Sequence, residues 1–377
     1  MRCSLVRSNQ WLAAGAAAVL ALGLAACGSN DESPSGGGSS DSGNSAASKQ
    51  GGTINGAGAT FPAPVYTEWA ARFKDSTGTT VNYQAVGSGG GIAQFTAGTV
   101  DFGATDAAMK PDEEAAAKKK GDPVHIPTVL GAVTVSYHVS GIDKGLKLDG
   151  ATIADIFLGK IKKWNDPAIA KVSGNTGLPD KDITVCHRSD ESGTTKNFTQ
   201  FLADYSPEWE SGPGVDKTVK WPVGTGAKGN DGVAGCVKQS DGAVGYVEQA
   251  YALQNNFTTA AVKNKEGNFV EPSLDATSAA GQGAQVPDDL KFSTINAPGA
   301  KTYPITAITF LLAWQDQCKA GIKPETAKLV KSWLDYGLGD GQSVATELEY
   351  APLPANIKTK AQAKVDGLTC NGTALKG

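Results

Sequence analysis

The segment from Arg188 to Thr195 reads Arg-Ser-Asp-Glu-Ser-Gly-Thr-Thr and places one guanidinium beside hydroxyl groups and backbone amides. The apolar spacing directly after it predicts a helix. Ser192, Gly193 and Thr194 therefore lie at a helix start, where unpaired N–H groups can bind an anion. The segment predicts an oxyanion site. A capping segment beside a surface arginine is the alternative, because serine is also a preferred N-cap residue.

A second glycine-rich helix start runs from Gly56 to Tyr66, with the sequence Gly-Ala-Gly-Ala-Thr-Phe-Pro-Ala-Pro-Val-Tyr. A glycine turn leading into a helix with proline in its first turn allows the amides of Thr60 and Phe61, and the hydroxyl of Thr60, to face an anion. The segment is not a Walker A loop, since the Gly-Lys-Ser/Thr ending is missing. A plain turn before a helix is the alternative.

A third such start is the segment 87–91, Gly-Ser-Gly-Gly-Gly, which offers the hydroxyl of Ser88. Catalysis by Ser88 is the competing interpretation, but the segment is not a Gly-x-Ser-x-Gly elbow and no histidine lies nearby in sequence. The predicted strand 100–106 ends in Asp106. Ligands of open α/β sheets lie beyond the carboxyl ends of strands, so this carboxylate is well placed for a ligand. A cap for the helix near Pro111 is the alternative.

The rest of the chain predicts the elements that must position these segments. More than 300 residues follow a polar N-terminal stretch, enough for two α/β domains. Apolar β-branched runs alternate with helical patterns, which favours parallel sheets covered by helices. The clearest strand runs are 81–86, 129–139 and 183–185, and the clearest helical runs are 63–73, 92–97, 151–158 and 325–334.

The N-terminus predicts the compartment. Two arginines precede an apolar run, 11–24, that is too short for a comfortable membrane span and ends just before Cys27. We interpret residues 1–26 as a lipoprotein signal, with lipidation of the Cys27 thiol anchoring the chain outside the cytoplasm. Residues 27–50 are then the lipidated cysteine and a flexible Gly/Ser tether. An ordinary secretory signal with an incidental cysteine is the alternative.

The net charge excludes one class of partner. The formal charge is -4, and loss of a signal that carries two arginines and no acid makes the mature chain more acidic. A broad basic face for nucleic acid is therefore not indicated. Any anion must be held by a local group of residues rather than by the field of the whole molecule.

Taken together, these segments closely resemble the substrate-binding protein of the ABC-type phosphate importer. The resemblance covers most of the chain after residue 50. It rests on the segments 56–66, 87–91 and 100–106, on Arg188 with Ser192-Gly193-Thr194, and on Leu-Gly-Lys-Ile-Lys-Lys-Trp at 158–164, Lys-Gly-Asn-Asp-Gly at 228–232 and Gly-Tyr-Val-Glu at 245–248.

The resemblance implies an α/β protein with a type II periplasmic-binding-protein fold, in which a two-strand hinge joins two α/β domains. The first domain is expected at 51–137 plus 303–377, and the second at 138–302. One phosphate ion would be buried in the cleft between them.

The resemblance also implies the ligand residues, carried over position by position. Thr60 and Phe61 would supply a hydroxyl and amides, Ser88 another hydroxyl, and Asp106 an acceptor. Arg188 would supply paired N–H donors, and the hydroxyls and amides of the opposite wall would come from Ser192, Gly193 and Thr194. Asp190 would orient Arg188.

Two positions depart from the commonest pattern of the family. His187 and Glu191 stand where arginine and glycine are frequent. Because Glu191 would add negative charge beside an anion, we expect its side chain to point outward.

Four cysteines remain once Cys3 leaves with the signal and Cys27 takes a lipid. In an oxidising compartment they should pair, and three connectivities are possible. We favour Cys186 with Cys236 and Cys318 with Cys370, because each pair falls inside one predicted domain and leaves the hinge free. Their spacing matches no zinc pattern, and the three histidines are too scattered to complete one, so neither a metal nor another cofactor is expected.

Asp106 gives the resemblance a physical basis. A carboxylate facing a dehydrated anion is repulsive unless the ligand brings a proton for it to accept. Phosphate carries that proton near neutral pH and sulfate does not, so Asp106 predicts a site selective for phosphate.

The expected function is therefore high-affinity extracytoplasmic binding of inorganic phosphate. The expected partners are the membrane permease subunits of an ABC phosphate importer with its ATPase, and the protein is expected to be a monomer and not an enzyme. Three alternatives remain open: a binding protein for another tetrahedral oxyanion or a phosphate ester, a secreted phosphatase or other hydrolase, and a surface sensor or adhesion lipoprotein.

Overall fold

The computed structural model describes residues 51–142 and 144–376. The predicted lipoprotein signal at 1–26, the lipid anchor Cys27 and the rest of the tether to residue 50 lie outside the described residues. In the part of the chain that is described, no helix combines the length and the apolar character that crossing a membrane requires.

The described residues form a mixed α/β structure. The strands are β1 (Gly52–Gly58), β2 (Thr79–Ala85), β3 (Phe102–Thr105), β4 (Pro123–His138), β5 (Lys147–Leu148), β6 (Thr184–Arg188), β7 (Thr225–Ala227), β8 (Ala243–Glu248), β9 (Thr258–Thr259), β10 (Ala261–Lys263), β11 (Phe269–Val270), β12 (Thr306–Trp314), β13 (Ala351–Pro352), β14 (Thr369–Cys370) and β15 (Thr373–Ala374).

Helices lie between most of these strands. They are α1 (Ala63–Thr77), α2 (Ser88–Ala97), α3 (Pro111–Ala117), α4 (Gly150–Phe157), α5 (Pro167–Ser173), α6 (Gly193–Tyr205), α7 (Pro207–Ser211), α8 (Gly229–Gln239), α9 (Gln249–Gln254), α10 (Leu274–Gln282), α11 (Pro324–Leu338), α12 (Gly341–Glu347) and α13 (Ala355–Asp366). The predicted strand and helix runs all overlap elements of the matching type, with boundaries shifted by a few residues.

The main sheet has the strand order β2-β1-β3-β12-β4-β8-β6-β7, with β9 and β13 also pairing to β4. The strands at each end of the sheet are parallel to their neighbours. At one end β1 pairs in parallel with β2 and β3, and at the other end β6 pairs in parallel with β7 and β8. Parallel strands end at one edge of a sheet, so the loops after them come together.

The prediction of parallel sheets is wrong for the strands at the centre of the main sheet. There β12 runs antiparallel to β3 and β4, and β4 runs antiparallel to β8. The physical reason is that β12 arrives from a distant part of the chain and enters between β3 and β4. Its direction is therefore not set by a strand-helix-strand crossover.

Strand β4 joins two halves of the main sheet: the first half contains β1, β2, β3 and β12, and the second half contains β6, β7 and β8. It pairs with β12 from Pro123 to Ala132 and with β8 from Val133 to His138. The division into domains at 51–137 plus 303–377 and at 138–302 stays a prediction.

Aromatic packing supports the site-bearing strands in each half. In the first half, Trp69 on α1 stacks with Tyr66 at 5.3 Å between ring centroids and lies edge-on to Trp333 at 6.0 Å. In the second half, Tyr246 on β8 stacks with Phe198 on α6 at 4.3 Å. All five rings are buried, so they contribute apolar packing that holds these strands and helices together.

Two disulfides join cysteines that lie far apart in sequence. Cys186 pairs with Cys236, and Cys318 pairs with Cys370. These are the two pairings favoured from the sequence. The first ties β6 to α8, and both of these elements lead into the candidate site.

Candidate functional site

The carboxyl ends of five strands, from the two parallel sets at the ends of the main sheet, converge on one buried polar region. From the first half of the sheet, β1, β2 and β3 lead into the loops that carry Thr60, Ser88 and Asp106. From the second half, β6 ends at Arg188 and β7 leads to Asn230 at the start of α8. All five residues are at most 3 % exposed. The structure thus brings Asn230 together with four residues that the sequence analysis selected from separate segments: Thr60, Ser88, Asp106 and Arg188.

Thr60 lies in the turn before α1 and contacts the second half of the sheet. Its hydroxyl oxygen accepts hydrogen bonds from Asn230, from the backbone N–H at 3.1 Å and from the side-chain amide at 2.9 Å. Its carbonyl oxygen accepts the hydroxyl of Tyr251 at 2.6 Å, and the carbonyl oxygen of Phe61 accepts the hydroxyl of Tyr350 at 2.7 Å. The turn is therefore fixed from both sides.

Two buried residues place backbone N–H groups at helix starts. Phe61 stands in the turn before α1, and Thr194 is the second residue of α6. Both residues are fully buried. N–H groups in the first turn of a helix have no acceptor within the helix, so a bound anion is a suitable partner for such donors.

Ser88 begins α2 and links the two walls of the site. Its oxygen accepts the backbone N–H of Gly193 at 3.0 Å and that of Asp106 at 3.3 Å, while its hydroxyl lies 3.4 Å from Oδ2 of Asp106. A Cβ atom on Gly193 would come within 2.6 Å of both Ser88 Oγ and Asp106 Cβ. Only glycine allows so close an approach of the walls. Gly87 is also constrained, because its φ of 95° is unfavourable for other residues.

Asp106 follows β3 directly and is 2 % exposed. Burial raises the pKa of its carboxyl group to about 7, although the hydroxyl of Thr309, the charge of Arg188 and the hydroxyl of Ser88 act in the opposite direction. Thr309 donates to Oδ1 at 2.9 Å. Oδ2 therefore remains the oxygen that faces Ser88. Asp106 does not cap α3, whose N-cap is Lys110.

Arg188 ends β6 and is held by Asp190. Its Nε and Nη2 atoms donate to the two carboxylate oxygens at 2.7 and 2.6 Å, and Nη1 lies 3.4 Å from Oγ1 of Thr194. The backbone N–H donates to the buried hydroxyl of Tyr246 at 3.1 Å. This pairing leaves Nη1 as the donor directed toward the helix start. The arginine is thus a buried group and not the surface arginine of the capping alternative.

Asp190 remains ionised in this setting. Burial acts to raise its pKa, but hydrogen bonds from Arg188 and the charge of that guanidinium outweigh burial and lower the pKa below its ordinary value. The backbone N–H of Gly229 also donates to Asp190 at 3.1 Å. Asp190 therefore neutralises Arg188, and the region carries little net positive charge. Any anion bound here depends on aimed N–H and O–H donors as much as on charge.

Ser192 occupies the N-cap position of α6. Its side-chain oxygen accepts the N–H of Thr195 at 3.1 Å, so the capping interpretation is correct for this residue. Capping uses one lone pair of the oxygen and leaves the hydroxyl hydrogen available to another acceptor.

The two residues that depart from the family pattern stand beside site residues in the chain and are less buried than those residues. Glu191 is exposed, as expected, and its backbone carbonyl accepts the N–H of Gly89 at 3.0 Å. The His187 ring stacks on Trp221 with centroids 4.7 Å apart. Burial lowers the pKa of this imidazole, which favours a neutral ring in a packing role.

Asn230 and Thr309 belong to the site and were not selected from the sequence. The amide of Asn230 lies 3.2 Å from Oγ1 of Thr194, and its oxygen accepts the N–H of Glu248 at 3.0 Å. The position of Asn230 after Gly229, whose φ is 75°, marks a helix start and could have identified it. Thr309 lies inside β12 and carries no comparable signal.

No group of three or more histidine, cysteine, aspartate or glutamate side chains is arranged to hold a metal ion among the residues that the structure describes.

Comparisons with known proteins agree with this fold. Residues 43–340 match the family model described as the PBP superfamily domain. The chain is 45 % identical to the phosphate-binding protein PstS of Pasteurella multocida over 328 residues, which are 86 % of this chain and 93 % of that protein. It is 43 % identical to PstS of Haemophilus influenzae over 322 residues, with 84 % and 94 % covered.

A solved structure shares the fold. A high-affinity periplasmic phosphate-binding protein, bound with phosphate, superposes with a TM-score of 0.69 at 22 % identity, covering 82 % of this chain and 93 % of that one. The chain belongs to the PBP superfamily and, within it, to the PstS family of phosphate-binding proteins.

Proposed function

We propose that this chain binds inorganic phosphate between two α/β lobes, 51–137 plus 303–377 and 138–302, and delivers it to the permease of an ABC phosphate importer. The observation that carries the proposal is the placement of one buried carboxylate, Asp106, opposite a wall of hydrogen-bond donors around Arg188. The names of the relatives support the same ligand.

The proposed ligand set divides between the two lobes. The first lobe would supply the amides of Thr60 and Phe61 and the hydroxyls of Thr60 and Ser88. It would also supply Asp106 as the acceptor. Arg188, oriented by Asp190, comes from the other side with the hydroxyls and amides of Ser192, Gly193 and Thr194. All of these groups would donate hydrogen bonds to the phosphate oxygens, except Asp106, which would accept one.

Asp106 provides the proposed selectivity. With one oxygen fixed by Thr309, the other can accept a proton carried by the ligand. Protonated oxyanions such as phosphate or arsenate then gain a hydrogen bond, while sulfate leaves two acceptors in contact without water between them. A difference of several kcal/mol between the two anions follows from an unpaired buried group of this kind.

Contacts between the proposed lobes support closure around the ligand. Asn230 contacts Thr60, and Gly193 contacts Ser88. A hinge at the end of β4 and in the segment that leads into β12 would allow the lobes to separate for entry of the ion and to close over it. The closed shape would be the form that the permease recognises.

The proposed location is the outer side of the cell membrane. There the lipidated Cys27 would anchor the chain and the tether to residue 50 would let the folded part reach the permease. We further propose a monomer that binds without catalysis. The hydroxyl of Ser88 contacts Asp106 and Gly193, whereas His187 packs on Trp221, so these two residues do not form the nucleophile-base pair that a hydrolase would need.

Calorimetric titration of the mature chain with phosphate, arsenate and sulfate tests the proposal. We expect tight binding of phosphate, competition by arsenate and no measurable heat with sulfate. Small-angle scattering of the same samples should show a more compact particle only with phosphate or arsenate. Equal affinity for phosphate and sulfate, or release of product from a chromogenic phosphate ester, would contradict it.

A further inference from the structure

A second buried carboxyl group lies next to the candidate site. Glu248 is the last residue of β8 and is completely buried. Its Oε2 atom accepts the N–H of Ala250 at 2.8 Å and lies 2.7 Å from the hydroxyl oxygen of Tyr350. Its Oε1 atom has no hydrogen-bond partner among the described residues. None of the ion pairs in residues 51–142 and 144–376 includes Glu248.

The hydrogen-bond count at Tyr350 determines where a proton must lie. The phenol has one hydrogen, yet its oxygen is 2.7 Å from the carbonyl oxygen of Phe61 and 2.7 Å from Oε2 of Glu248. A carbonyl can only accept, and an ionised carboxylate can only accept. Each contact has a hydrogen of its own only if Glu248 carries a proton and donates it to Tyr350, while Tyr350 donates to Phe61; otherwise the single phenol hydrogen is shared between two acceptors.

The surroundings of Glu248 agree with a neutral group. A charged carboxylate with one buried, unpartnered oxygen is far more costly than a neutral acid in the same place. Burial, with a smaller contribution from the nearby carboxyl of Asp106, raises the pKa of Glu248 to about 8, while the contacts with Tyr350 and the backbone act in the opposite direction. Burial also keeps the pKa of Tyr350 and of the neighbouring Tyr251 above the usual value, so both phenols stay protonated.

We infer that Glu248 is a protonated carboxylic acid that positions the Thr60–Phe61 turn across the proposed domain boundary, so that closure of the site depends on one proton outside it. The inference rests on the proposed function, because the turn is one wall of the phosphate site. Glu248 lies in the second proposed lobe, and Tyr350 and Phe61 lie in the first. The hydrogen bonds run from Glu248 to Tyr350 and from Tyr350 to the Phe61 carbonyl, while the amide of Phe61 is a proposed donor to the phosphate.

The consequence for stability has a definite sign. The pKa of Glu248 in the folded chain is about 8 against an ordinary value of 4.5, so the folded state keeps a proton that the unfolded state loses. The folded state is thus most favoured below pH 4.5 and loses stability as pH rises toward 8. Asp106, with a pKa of about 7, acts in the same direction, so only the difference between variants isolates Glu248.

Thermal melts without phosphate test the protonation state. Glu248→Gln keeps a donor and an acceptor in the shape of the neutral acid, and the exposed Glu271→Gln is the matched control. Between pH 6 and 8.5 we expect the Tm of the parent and of Glu271→Gln to fall by about 5 °C more than that of Glu248→Gln. Parallel curves for all three proteins would overturn the inference.

Infrared difference spectra of Asp106→Asn at pH 6 and 9.5 test it even where Glu248→Gln folds poorly, because this protein lacks the other carboxyl group whose pKa is raised to about 7. We expect a carbonyl band of a protonated carboxylic acid at pH 6 that is lost at pH 9.5. If Glu248→Gln folds, we expect it to lack the Glu248 contribution to the band of the parent. An Asp106→Asn protein without the band at pH 6 would contradict the inference. Neither measurement uses phosphate, so failure of the proposed function would appear separately, in the titrations.

The role in positioning is tested by phosphate affinity across the same pH range. We expect the parent to lose affinity between pH 7 and 9 by about tenfold more than Glu248→Gln, because closure of the parent needs a proton that becomes scarce. Glu271→Gln should follow the parent. An equal pH profile for the parent and Glu248→Gln would show that Glu248 has only a structural role.

Discussion

Both carboxylate oxygens of Asp190 hold the guanidinium of Arg188, at 2.7 Å from Nε and 2.6 Å from Nη2, and only 1 % of the arginine side chain is exposed. The pair fixes the planar group in one orientation before any ligand arrives. It also removes most of the net charge. Recognition at this site therefore depends on where the remaining donors point, which makes it sensitive to geometry.

Replacing Arg188 tests this dependence. Arg188→Ala should lower phosphate affinity by about tenfold to more than a hundredfold, since a charge-assisted hydrogen bond contributes about 1.5–3 kcal/mol. Arg188→Lys should recover little, because an ammonium group cannot make the two parallel bonds to Asp190 and also reach the ligand. Isothermal calorimetry measures both. The control is Arg72→Ala, which removes an exposed ion pair with Glu347 and should leave affinity unchanged.

Asn230 should contribute to phosphate affinity as much as the residues selected from the sequence. Its amide contacts the hydroxyl oxygens of Thr60 and Thr194, which lie on opposite walls. Asn230→Asp keeps the shape but puts a carboxylate where a donor is needed, so phosphate affinity should fall by about tenfold or more. The exposed Asn175→Asp adds the same charge elsewhere and serves as the control. Equal affinity in both variants would remove Asn230 from the site.

A buried ion pair near α3 should favour the closed form. Lys217, whose side chain is 5 % exposed, pairs with Glu113 across the proposed domain boundary. Lys217→Met leaves Glu113 without its partner and should weaken phosphate binding by about tenfold, whereas Lys217→Met with Glu113→Gln should recover part of the loss. The exposed Lys119→Met is the control. A double variant no better than the single one would argue against coupling between this pair and closure.

Sulfate should begin to compete at low pH. The pKa of Asp106 is raised to about 7 by burial, so the protonated fraction grows as pH falls below that value, and a protonated acid can donate to sulfate. Competition of sulfate against bound phosphate should increase between pH 8 and 5.5 in the parent and stay flat in Asp106→Asn. Displacement titrations at three pH values would measure it, and a parent with no change over this range would refute the explanation.

The sequence predicted those features of the site that depend on neighbours in the chain. Asp106 was identified because it ends a strand, and Ser88 because glycines and a helix follow it. Thr309 could not be identified, since its contact with Asp106 depends on β12 entering the sheet beside β3 from 203 residues away. The antiparallel centre of the sheet was missed for the same reason.

Pairs of residues that lie far apart in the chain and meet only in the folded structure were missed for the same reason. The motif that ends in Glu248 was noted for its resemblance, but its contact with Tyr350 spans 102 residues. Hydrophobic periodicity describes which face of an element is buried and carries no information about which buried polar groups meet. Such pairs require the structure.

The central claim is that a proton on the ligand is recognised by Asp106. Competition calorimetry of phosphate and sulfate on the parent and on Asp106→Asn at pH 8 tests it most directly. We expect the parent to exclude sulfate and the variant to bind sulfate and phosphate with affinities that differ far less. A variant that excludes sulfate as strongly as the parent would contradict the claim.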